Sequence, residues 1–169
     1  PPDDRLDTGF LAVIALIHDI AEIKTGDIAS FKKQASDQEE ECEAFLAITQ
    51  PLPTDTCEYL RFAFRHAIPK SKQFFNCRES RFFRAVEKLG FLKRGIHECR
   101  AGNLHFAPRN FERDIPLVLE AAKEFPSLAA HIEPFIEEMK GYLKQFAEHR
   151  GEYLGAFVRA GNNANDFPF

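Results

Sequence analysis

The chain has 169 residues, a hydrophobic share of 44%, and 18 Phe with no Trp. That length is most simply one domain with one core, and the apolar share argues against disorder. A formal net charge of -4 argues against a nucleic-acid polymer as partner, and the longest apolar stretch, Phe10 to Ile17, is too short to span a bilayer.

The first residue is Pro1 rather than Met. This implies a removed segment, such as a transit peptide, or a start inside a longer chain. Leu6 to Lys24 reads as a helix that is apolar all round in Phe10 to Ile17 and therefore buried. Gly26 stands where it would stop. A second helix is expected from Ser36 to Thr49, with Ser36 and Glu39 in capping-box spacing and Pro51 and Pro53 after it. Asp55 and Glu58 have the same spacing at the start of a third, which runs to about Ala67. Ile68 to Arg78 reads as a loop.

Glu79 to Cys99 reads as an amphipathic helix with Phe83, Val86, Gly90, Phe91 and Arg94 on one side. Ala101 to Arg113 reads as a loop. A further helix starts near Asp114 and Pro116 and ends near Phe125. Ser127 to Arg150 is a last helical region, bent or broken at Pro134. No period-two strand or internal repeat is visible. The expected fold class is all-α, with one domain over 1–150 and an irregular C-terminal tail over 151–169. Cys42, Cys57, Cys77 and Cys99 contain no C-x-x-C pair, which argues against a zinc cluster and for a reducing, intracellular compartment.

The chemistry concentrates in His18-Asp19-Ile20-Ala21-Glu22, directly after the apolar run. A carboxylate inside such a helix is costly unless paired or bound to metal. On an unbroken α-helix His18 and Glu22 share a face, and Asp19 lies about 100° round from His18. Imidazole plus carboxylate suits Mn, Fe, Co, Ni or Zn better than Ca or Mg. The plainer reading is a hydrogen-bonded core His and a helix-end acid. His66 reads as a helix C-terminal residue. His97 reads as structural, and His105, His131 and His149 as surface residues.

The run from Ala15 to Ile28, with His18-Asp19, Glu22 and Thr25-Gly26-Asp27, resembles the central motif of the HD-domain superfamily, and within it the 5′-deoxynucleotidase-like branch. Glu79 to Leu89 and Gly95 to Glu98 are similar to the family's later helix. The resemblance implies a compact HD-domain helical bundle whose divalent metal ion (Mn, Co, Fe or Zn) is held by His18, Asp19 and Glu87. Glu22 is then the acid that activates water, and Thr25 and Asp27 contact the nucleotide. The family carries Asp where this chain has Glu87, which is one methylene longer. It also has a further His ligand on a helix upstream of the position matched by Pro1. The implied function is metal-dependent release of phosphate from (deoxy)nucleoside 5′-monophosphates, by a homodimer or a subunit of a larger assembly. The alternative is a degenerate HD domain that has lost the metal and serves as a structural or interaction subunit. In that case a buried Asp19 needs a cation beside it, with Arg84 and Lys88 as the expected candidates. Glu87 can also be read as a surface partner of Arg84 or Lys88.

Overall fold

The computed structural model describes residues 6–28, 33–68 and 76–159, with 106–110 and 152–159 by backbone alone. Among the described residues every regular element is helical, as expected for an all-α chain. The chain divides into two compact units, Pro1–Arg84 and Ala85–Phe169.

The first unit opens on α1 (Thr8–Ile17), capped by Asp7, whose carboxylate accepts from the Phe10 N–H at 2.9 Å. Ile14, Ile17 and Ala21 repeat at spacings of three and four and are buried together. The helix is not buried all round: Leu16 is 77% exposed. The expected single helix to Lys24 also divides. Residues 18–21 form a turn, and a short α2 (Glu22–Thr25) follows.

α3 (Ala35–Thr49) packs on α2, and α4 (Thr54–Arg65) packs on both α1 and α3. The N-terminus of α3 is closed by Asp37, which accepts from the Gln34 N–H at 2.6 Å, rather than by Ser36 and Glu39. Likewise Asp55 lies inside the first turn of α4, behind Pro53, where its charge faces the positive end of the helix. Arg61 on α4 donates to the Leu46 carbonyl (3.1 Å) and to Thr49 Oγ1 (3.2 Å), so it satisfies the end of α3. Phe45 and Phe64 stack at 4.0 Å in the core between the two helices. Tyr59, Phe62 and His66 lie on the face of α4 that meets Phe10 of α1.

His66 is more than a helix-end residue. It is buried, its Nδ1 lies 2.8 Å from Ser80 Oγ and 3.1 Å from Cys77 Sγ, and Phe10 and Phe62 meet its ring edge to face. Ser80 belongs to α5 (Arg78–Arg100). The start of α5 is tied to the start of α1 by the Asp7 N–H, which donates to Glu79 Oε1 at 3.3 Å. The expected Ile68 to Arg78 loop is described only at its two ends; 69–75 lies outside the described residues.

The buried positions along α5 are Ser80, Phe83, Ala85, Leu89, Leu92, Gly95, Ile96 and Cys99, which share only Phe83 with the expected stripe. Val86 and Gly90 are exposed. The small residues Ser80, Ala85 and Gly95 let the opposite face pack.

In the second unit, α6 (Phe106–Glu124) and α7 (Pro126–Arg159) form a helical hairpin turning at Phe125. The expected loop over Ala101–Arg113 is therefore half helix: Phe111, Asp114, Val118 and Phe125 make one buried stripe that starts before Asp114. Pro116 and Pro134 lie inside these helices without ending them. Each frees the carbonyl four residues back, on Glu112 or Ala130, and both of those residues are exposed to water. α7 continues nine residues past Arg150 into the expected irregular tail, of which 160–169 lies outside the described residues.

Candidate functional site

The turn after α1 determines how the candidate residues meet. The backbone N–H groups of Ile20, Glu22, Ile23 and Lys24 each bond to the carbonyl three residues back, at 3.0 to 3.3 Å. This is 3₁₀ winding, in which residues i and i+3 eclipse. The α-helical stacking of His18 over Glu22 is therefore interrupted, and Asp19 rather than His18 falls in line with Glu22.

His18 is half-buried against Phe83, ring centroids 5.2 Å apart. Its Nδ1 lies 2.8 Å from the Ala15 carbonyl oxygen, and its Nε2 lies 2.9 Å from Asp19 Oδ2. A proton on Nδ1, donated to Ala15, leaves the Nε2 lone pair facing the same point as the Asp19 carboxylate. That is the arrangement by which a backbone carbonyl orients a metal-binding imidazole. With a second proton, Nε2 donates to Asp19 instead. The geometry thus serves a cation or a proton at one place.

Asp19 is 63% exposed on its side chain and its partner is His18, not Arg84 or Lys88. Arg84 donates to Asn76 Oδ1 at 2.9 Å, and Lys88 lies over the Phe91 ring at 4.9 Å. The expectation of a buried Asp19 fails because the turn lifts it off the apolar face.

Glu22 is held elsewhere. Lys33 Nζ lies 3.3 Å from Glu22 Oε1 and 2.5 Å from Glu41 Oε1. Glu41 comes from α3, and its side chain is only 4% exposed. Burial pushes the Glu41 carboxyl up and the Glu22 and Asp19 carboxylates add to this, with Lys33 opposing. Burial pulls the Lys33 ammonium down, but the Glu41 and Glu22 carboxylates together outweigh it and leave it raised. Sequence reading passed over Lys33 and Glu41. Glu41 is one of several acids in the first turns of α3. The only available signal was position: Gln38, Glu41, Cys42 and Phe45 are spaced as one helical face, which places Glu41 among core residues.

Thr25 Oγ1 bonds within its own turn, to the Ala21 carbonyl at 3.4 Å. Gly26 has φ 79 and ψ 158, a conformation that L side chains rarely adopt, so the turn needs glycine there. Asp27 follows it and is exposed. Glu87 lies on α5 in the second unit and is half-buried.

A family profile described as HD domain matches residues 2–109, more than half of the chain. The chain belongs to the HD domain family. The match includes the turn with His18 and Asp19 and the whole of α5, and HD domains are in general metal-dependent phosphohydrolases. No curated protein and no solved structure matches the chain. HD domains typically hold divalent metals, and His18 and Asp19 fit such an ion with two donors. Among the described residues no three His, Cys, Asp or Glu side chains gather as a complete metal-holding group.

Proposed function

We propose that this HD domain is a phosphohydrolase that releases phosphate from (deoxy)nucleoside 5′-monophosphates, with His18 and Asp19 as metal ligands. The observation that carries the reading is the His18 geometry: Nδ1 anchored on Ala15 and Nε2 2.9 Å from Asp19 Oδ2. A divalent ion of the Mn, Co, Fe or Zn type supplies Lewis-acid polarisation of the phosphoryl oxygen when bound. Glu22, at the start of α2, accepts the proton of the attacking water. Thr25 and Asp27, on either side of Gly26, contact the nucleotide.

The test is phosphate release by the purified chain from deoxynucleoside monophosphates with Mn(II) or Co(II). Glu22→Ala should abolish release and leave the metal bound. Full activity in that variant would remove Glu22 from the role.

A second reading, a non-catalytic HD domain acting as an interaction subunit, is favoured by a different observation. Lys33 already supplies positive charge to Glu22 and Glu41, and Leu16 and Ile23 near the motif are 77% and 82% exposed. Metal content of the purified chain separates the two: stoichiometric metal with turnover supports the enzyme, and neither supports the subunit.

A further inference from the structure

Lys33 and Glu41 have no part in the reading above, yet they form the most deeply placed charge pair around it. Lys33 precedes α3, Glu41 lies on α3 and Glu22 begins α2. Glu22 and Lys33 are 11 residues apart, so no single helix face makes this contact. The packing of α2 on α3 builds it.

The two contacts of Lys33 are unequal. The shorter, 2.5 Å, is to the buried carboxylate of Glu41; the longer, 3.3 Å, is to the more exposed Glu22. A buried carboxylate that already has one partner is a fixed anchor, because moving its cation away leaves an uncompensated charge in the interior. Lys33 is thus held from the core side by the charge of Glu41 and donates an N–H outward to Glu22 Oε1. A Lys otherwise has free rotation about four bonds; here that freedom is removed before Glu22 is met.

We propose that Lys33, anchored by Glu41, is a positioning residue that fixes the carboxylate of Glu22 in the orientation proton transfer needs. The proposal deepens the hydrolase reading and rests on Glu22 acting there as the base. With Oε1 engaged by Lys33, Oε2 is the oxygen that takes the proton. Lys33 touches neither substrate nor water in this scheme, and its effect passes entirely through Glu22.

The experiment uses the full chain and three variants, Lys33→Met, Lys33→Arg and Glu41→Gln. In the metal-free protein, the ¹³C resonance of the Glu22 side-chain carboxyl, assigned by its loss in Glu22→Gln, is compared across them. It should move in Lys33→Met, return toward the wild-type position in Lys33→Arg, and move less in Glu41→Gln, which keeps an oxygen for Lys33. With Mn(II) and a deoxynucleoside monophosphate, Lys33→Met should lower kcat by roughly 10- to 100-fold, the scale expected for a misplaced base. KM and Mn(II) affinity should stay within about twofold, because uniform binding is untouched. A merely structural Lys33 would instead change kcat, KM and Mn(II) affinity together. Should Lys33→Met not fold, Lys33→Arg and Glu41→Gln carry the same comparison.

An active wild type whose kcat is unchanged in Lys33→Met overturns the proposal and leaves the hydrolase reading intact. An unmoved Glu22 resonance in that variant also overturns it. A wild type that binds no Mn(II) and releases no phosphate overturns the hydrolase reading itself, and the proposal with it.

Discussion

The two units are both helical but place charge differently. In the first unit, carboxylates and a lysine enter the packed region. Glu41, Gln38 and His66 are buried, and Lys33 is nearly so. In the second unit the lysine pairs of α6 and α7 run along the helix surfaces, as in Lys123 with Glu120, Lys140 with Glu137 (2.7 Å) and Lys144 with Glu148 (3.8 Å), and the Arg100–Glu138 pair between α5 and α7 is also solvent-exposed. The exception is Asp114, fully buried and held by Arg113 through two bonds of 2.7 and 2.8 Å. The helical hairpin supports itself by apolar stripes, whereas the four-helix unit gives up part of its interior to ionic groups. A charge is costly to bury, and in the first unit the buried charge of Glu41 is linked through Lys33 to Glu22 of the His18-Asp19 motif.

That contrast can be broken by mutation. The largest effect is expected at the core stack: Phe45→Ala should cost about 3 to 5 kcal/mol in urea unfolding, since it deletes a fully buried ring. A loss below about 1 kcal/mol would show that α3 and α4 do not rely on it. Next comes the buried acid of the second unit. Arg113→Ala should cost about 3 kcal/mol by stranding Asp114, and Asp114→Asn in the same background should recover part of that. No recovery would mean that Arg113 acts through packing rather than charge.

Smaller again is the turn at Gly26. Gly26→Ala forces a side chain onto φ 79 and should cost about 1 to 3 kcal/mol, although nothing crowds the added carbon. An unaffected melting point would mean that the turn adopts another conformation.

The Lys33 pair predicts a pH dependence. Its ammonium titrates above the ordinary 10.5 when folded. Its stabilisation is therefore complete below pH 10.5 and is lost as pH rises through the folded value. The stability difference between wild type and Lys33→Met should be level from pH 8 to 10 and shrink above that. A difference still level at pH 12 would remove Lys33 from the ion pair. The smallest effect belongs to the surface of α7, where Lys140→Ala should change stability by no more than about 0.5 kcal/mol. A larger loss would mean that surface pairs matter more in the second unit than the contrast allows.

The sequence by itself determined the all-α class, the HD-domain motif and the glycine turn that ends it, because each rests on local spacing or on a residue type with one physical use. It also placed the cores of α3, α4 and α5 along the chain. Helix ends were less legible. Asp37 rather than Glu39 closes α3, since several acids compete for one cap and a single backbone angle decides between them. Which face of α5 is buried depends on small residues fitting a neighbour, and hydrophobicity along one helix does not encode the neighbour. The pairing around the motif was the least legible part. The 3₁₀ winding after Ile17 broke the face expected for His18 and Glu22 and brought Asp19 in line with Glu22, and the packing of α2 on α3 brought Lys33 and Glu41 to Glu22. Such contacts join residues that are remote in sequence, so only the tertiary structure could decide them.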